Sequence, residues 1–96
     1  MKIFGTETFT LEDAIEGQAT YTLKEAAEFY EAARKYQRDL RDESVFTATS
    51  LQIAIDEGAD VIQTVLNAFE MMGLYEEDVY DAMERCLDRN RRRGRL

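Results

Sequence analysis

Between Leu51 and Gly73 the chain reads LQIAIDEGADVIQTVLNAFEMMG, and its apolar spacing predicts one long helix. At about 100° per residue, Leu51, Ile55, Ile62, Val65, Leu66 and Phe69 form one stripe. Ile53, Val61, Ala68 and Met71 lie toward the other side, which also carries Glu57 and Asp60, one turn apart. A helix apolar on two sides is expected to be buried on two sides. Ionised carboxylates are almost never buried without a partner. Glu57 and Asp60 therefore mark either the rim of a groove or a place where a cation is held.

The same periodicity organises the rest of the chain. Thr22-Leu-Lys-Glu25 has the form of a capping box, predicting a helix from there to about Leu40 or Arg41. Its buried stripe would be Leu23, Ala26 or Ala27, Tyr30, Ala33 and Leu40, flanked by Phe29 and Tyr36. Thr10-Leu-Glu-Asp13 resembles a second capping box, opening a brief helix that ends near Gly17. Met1 to Thr8 reads as an extended arm, and Asp42 to Thr49 as a polar connection. Gly73 sits where a helix C′ glycine belongs. Beyond it, Tyr75-Glu-Glu-Asp78 puts acids at the start of a last helix, and arginines from Arg85 onward collect at its end. Val79, Met83, Cys86 and Leu87 form its inner stripe, and Gly94 closes it. The expectation is an all-α domain spanning residues 1–96, a small bundle of three to four helices. A chain this short buries little surface alone, so completion by homo-oligomerisation is expected.

Composition narrows the chemistry. With 45% hydrophobic residues, no proline and no long alternating β-branched run, nothing argues for a sheet protein. The single cysteine, Cys86, excludes an intrachain disulfide and reads as a small core residue. Histidine is absent, which removes Ser-His and Cys-His catalysis and histidine-ligated metals. Any metal would be held by carboxylates, which suit magnesium or manganese. No signal peptide or membrane span is visible, so a cytoplasmic protein is expected. The net charge of −8 is uneven: the last twelve positions carry six arginines and one aspartate, +5, leaving −13 on the remaining 84 residues. So acidic a body argues against general nucleic-acid binding and leaves three readings for the tail: a solvated helix end matched to the helix dipole, contact with a phosphate-bearing ligand, or pairing with the acidic body of another subunit.

Acids three residues apart occur seven times, so this spacing carries little information alone. Context singles out Glu57/Asp60, inside the most apolar segment, and Glu25/Glu28, on a helix with an alanine-rich flank. Were those helices antiparallel, four carboxylates would face one another and surround one or two divalent ions.

The run from Ile55 to Leu96 resembles the C-terminal half of MazG-type nucleoside triphosphate pyrophosphohydrolases. The resemblance lies in Glu57-x-x-Asp60-Val61, the Gly73-Leu74 turn followed by acids, and the ending Asn90-Arg-Arg-Arg-Gly94-Arg-Leu. Upstream, Lys24-Glu25-Ala-Ala-Glu28 corresponds to that family's Glu-Glu-x-x-Glu, with 28 residues between Glu28 and Glu57. The similarity spans about 22–95, with 1–21 outside it. It implies an all-α, oligomeric enzyme in which Glu25, Glu28, Glu57 and Asp60 bind magnesium and serve catalysis. Lys24, Arg85 and Asn90 would then contact substrate. Lys24 stands where the motif has its first glutamate.

Three readings follow. The first is a magnesium-dependent pyrophosphohydrolase, converting a nucleoside triphosphate to monophosphate and pyrophosphate in pool housecleaning or signal control. The second, favoured by Lys24, is a non-catalytic helical module that binds a nucleotide or a protein, such as a phage-encoded inhibitor. The third is an oligomerisation domain without a ligand.

Overall fold

The computed structural model describes residues 1–96. It is mostly helical, with three helices and one very small sheet. Strands β1 (Lys2–Ile3) and β2 (Thr6–Glu7) pair antiparallel, followed by α1 (Ile15–Leu40), α2 (Ala48–Met71) and α3 (Glu76–Arg92). The expected extended arm is thus a hairpin. Its two-residue turn has Phe4 at φ 54° and Gly5 at φ 76°, the paired positive φ of a type I′ turn.

The helix boundaries correct two expectations. Residues 11–14 bend without forming a helix, and α1 then runs unbroken through Gly17 and Thr22. Neither capping-box spacing therefore starts a helix. A mid-helix threonine satisfies its hydroxyl on the preceding turn, as Thr20 does on the Glu16 carbonyl at 2.9 Å, so Thr-x-x-Glu is compatible with a helix interior. Gly17 weakens a helix by about 1 kcal/mol relative to alanine, too little to stop one.

The C-termini follow the sequence closely. Gly73, at φ 77°, donates to Glu70 O at 3.0 Å, and Leu74 donates to Phe69 O at 3.2 Å. Gly94, at φ 73°, repeats this arrangement with Arg91 O and, through Arg95, Asn90 O. Both are Schellman closures, in which a left-handed glycine lets the chain satisfy the last carbonyls. At the start of α3 the Tyr75 N–H donates to the Asp78 carboxylate at 2.7 Å.

Helices α1 and α2 pack along one another as a hairpin. The apolar core lies beside that pair: Ile3 wedges against Leu66 of α2 and Val79 of α3, with Met1 and Phe69 around them. Phe4 meets Tyr80 edge to face at 6.1 Å. Polar groups pin the N-terminal segment to α2. Thr6 donates to Gln63, Gln63 donates to the Glu7 carbonyl and to Asn67, and the Phe9 N–H donates to Asn67. Asn67 and Gln18 are among the most buried side chains of the molecule.

Only eight of 96 residues are fully buried, and here the expected stripes fail. Leu51, Ile53, Ile55 and Ile62 of α2 are exposed, as are Leu23, Tyr30 and Leu40 of α1; Cys86 is half-buried. The accessible surface is 7120 Å², against about 5,700 Å² for a compact monomer of this mass. The radius of gyration is 16.2 Å, where about 12.5 Å corresponds to a compact domain of this length. No helix is long and apolar enough to cross a membrane.

Candidate functional site

Glu25 and Glu28 lie one turn apart on α1, and Glu57 reaches them from α2. One carboxylate oxygen from each falls within 4.8 Å of the others. The packing that brings them together is next to them in sequence. Gly58 has no side chain, so the Phe29 ring rests on the α2 backbone; a Cβ there would stand 3.2 Å from Phe29 Cε1. That close approach fixes the helix separation at the level of Glu28 and Glu57.

Three carboxylates at this separation oppose one another's ionisation. The Glu25 carboxyl is pushed above its ordinary range first by sharing a hydrogen bond with Glu28, then by burial and by the charges of Glu28 and Asp60. Lys24 acts in the opposite direction. The Glu57 carboxyl is pushed up chiefly by burial, then by the charges of Glu28 and Asp60. Glu25 Oε2 and Glu57 Oε2 are both buried without a hydrogen-bond partner. Buried acceptors are normally satisfied, so two orphaned oxygens in one cluster mark a place suited to a cation.

The four expected acids divide. Glu25, Glu28 and Glu57 converge, whereas Asp60 stays outside the group and acts on it through charge. Lys24 is exposed beside Glu25. Arg85 and Asn90 lie on α3, which is anchored by its first turn, and neither bonds to the carboxylates. Asn90 donates to Cys86 Sγ at 3.6 Å and accepts from Arg95 at 3.1 Å.

Two neighbours carry no functional role in the sequence reading, where Lys35 marks only an exposed helix face and Arg38 is not singled out. An open groove of about 530 Å³ runs beside the cluster, lined by Glu28, Glu31, Lys35, Arg38, Ile53 and Glu57, among others. Lys35 pairs with Asp39 at 3.1 Å, while Arg38 makes no ion pair. Their signal was present: Lys35 and Arg38 follow Glu28 by seven and ten residues, which returns them to one helix face. Cations next to a carboxylate cluster give the groove a place for anionic oxygen beside a place for a metal.

No protein-family model matches this chain, and neither the curated proteins nor the solved structures searched contain a match.

Proposed function

We propose that the chain is a magnesium-dependent nucleoside triphosphate pyrophosphohydrolase. The observation that carries this reading is the convergence of Glu25, Glu28 and Glu57 from two helices, with two buried oxygens left without partners. In the proposed site these three hold the ion, with Asp60 at its edge. A bound magnesium ion would neutralise phosphate charge and lower the pKa of coordinated water. The remaining contributions belong to the chain. Lys35 and Arg38 line the adjoining groove and suit the β- and γ-phosphates; Lys24, Arg85 and Asn90 are further candidates for substrate contact. Water adds to the α-phosphorus, the bond from that phosphorus to the bridging oxygen breaks, and pyrophosphate leaves. A carboxylate of the cluster accepts the proton of the attacking water.

The sequence resemblance to MazG-type enzymes agrees with this chemistry. The excess accessible surface favours an oligomer. The test is pyrophosphate release from a panel of ribo- and deoxyribonucleoside triphosphates with magnesium or manganese. Turnover is expected, and Glu57→Gln should lower it by at least about 100-fold. Absence of turnover with every nucleotide, or an undiminished Glu57→Gln, refutes the proposal.

Lys24 favours a second reading, a non-catalytic module that binds nucleotide or protein. It predicts thermal stabilisation by nucleotide without magnesium and without product.

A further inference from the structure

Glu25 and Glu28 reach the carboxylate cluster from one helix, so their mutual distance is set by α1 itself. Glu57 comes from α2, so its distance from them is set by how closely the two helices pack. The residue after each facing acid makes that packing: Phe29 follows Glu28, Gly58 follows Glu57, and the ring of one lies on the backbone of the other. A Cβ on Gly58 would stand 3.2 Å from Cε1, 3.4 Å from Cδ1 and 3.9 Å from Cζ of that ring. Gly5, Gly73 and Gly94 have positive φ, but Gly58 lies inside α2 and is not among them, so no turn calls for a glycine there. The close approach of Phe29 does. Ala54, one turn earlier on α2, is a second small residue beside the ring and is buried.

Carbon atoms settle at about 3.5–4.0 Å, so a methyl group on Gly58 needs a few tenths of an ångström more room than the helices leave. Displacements of that size separate one cation from another. Oxygen ligands stand about 2.0–2.1 Å from magnesium and about 2.3–2.6 Å from calcium, and magnesium demands the more regular geometry. The two carboxylate oxygens without partners, Glu25 Oε2 and Glu57 Oε2, belong to opposite helices, so the spacing of α1 and α2 acts on both.

We propose that Phe29 and Gly58 are positioning residues that make the cluster select magnesium over calcium. They touch no ion. They hold α1 and α2 at the separation at which the Glu57 carboxylate and the Glu25–Glu28 pair close on a small cation. The inference rests on reading the cluster as a cation site and adds what sets its choice of ion.

Calorimetric titration of the full chain, without nucleotide, tests it. The wild type should bind magnesium more tightly than calcium. Alanine favours a helix over glycine, so Gly58→Ala is expected to keep its helix content. That variant should lose about tenfold in magnesium affinity while calcium affinity holds or rises. Adding Phe29→Leu removes the ring atoms that meet the new methyl group and should return the ratio of the two affinities to the wild-type value. A contact that only stabilises the fold would lower both affinities together. A ratio unchanged in Gly58→Ala, a parallel loss of both ions, or a double variant that still behaves as Gly58→Ala overturns the proposal. A wild type that binds neither ion overturns it together with the magnesium-dependent reading, whereas binding indifferent to Gly58→Ala overturns this inference alone. The expected ion preferences in a chain that turns over no nucleotide would uphold it and refute only the enzymatic reading.

Discussion

Glu57 is held in a place that disfavours its charge, and that has measurable consequences at the scale of the single residue. Its carboxyl and that of Glu25 bind a proton more tightly folded than unfolded. Their contribution to stability is therefore greatest below the unfolded value of about 4.5 and is lost as pH rises through the raised folded values. Asp39 and Asp42 have the opposite sign. Their carboxyls are held low, that of Asp39 by the nearby Ser50 hydroxyl and by the Lys35 ammonium donating at 3.1 Å, that of Asp42 by hydrogen bonds from the Ser44 hydroxyl and N–H, and their stabilisation disappears as pH falls below about 3.8. Thermal melts without metal are expected to rise from neutral pH toward pH 4.5 and to fall below 3.8; a monotonic decrease across that range would contradict this account. For the same reason Glu57→Gln should melt higher than the wild type without metal while losing stabilisation by magnesium. A lower melting temperature for that variant would show that the carboxylates are not in conflict.

At the scale of elements, the helix ends and the polar pins separate what is local from what is not. Gly73 occupies a left-handed position that closes α2 and redirects the chain into α3. Gly73→Ala should cost about 1 kcal/mol in denaturant melts, because a Cβ is strained at that φ even though nothing lies within 4 Å of it. Asn67 accepts from the Phe9 N–H and from Gln63 with its side chain almost completely buried. Asn67→Leu leaves the Phe9 N–H without an acceptor and Gln63 with only the Glu7 carbonyl, and should cost about 1–3 kcal/mol, with faster amide exchange at Phe9. Chain order disclosed the first of these features, since a glycine followed by acids reads as a stop and a new start. It did not disclose the second. Gln18 and Asn67 look like surface residues in any periodic reading, and only the N-terminal segment folding back, with the Leu11 N–H donating to Gln18 and the Phe9 N–H to Asn67, makes them interior.

The whole molecule is defined by how little of itself it covers. The strongest apolar signal in the sequence, the two-sided α2, meets a single chain too small to bury it. Exposed Ile53, Ile55 and Ile62 on one element, and Leu23, Tyr30 and Leu40 on another, represent apolar surface that association would remove from water. A melting temperature that rises with protein concentration is therefore expected, as for any fold stabilised by its partner, and one independent of concentration would argue for a self-sufficient monomer.

Sequence alone determined the helical class, the C-terminal ends of the helices and the suspicion attached to Glu25, Glu28 and Glu57. These follow from local rules: periodicity, glycine at left-handed positions, and the cost of carboxylates among apolar neighbours. It misplaced the start of α1, because a threonine inside a helix and a threonine capping one can share the same spacing. It also ranked Asp60 equally with Glu57. Only tertiary structure decided which acids meet, since that depends on the separation between α1 and α2. Gly58 sets that separation by letting Phe29 rest on the α2 backbone, and it leaves three carboxylates facing one another with two oxygens unsatisfied.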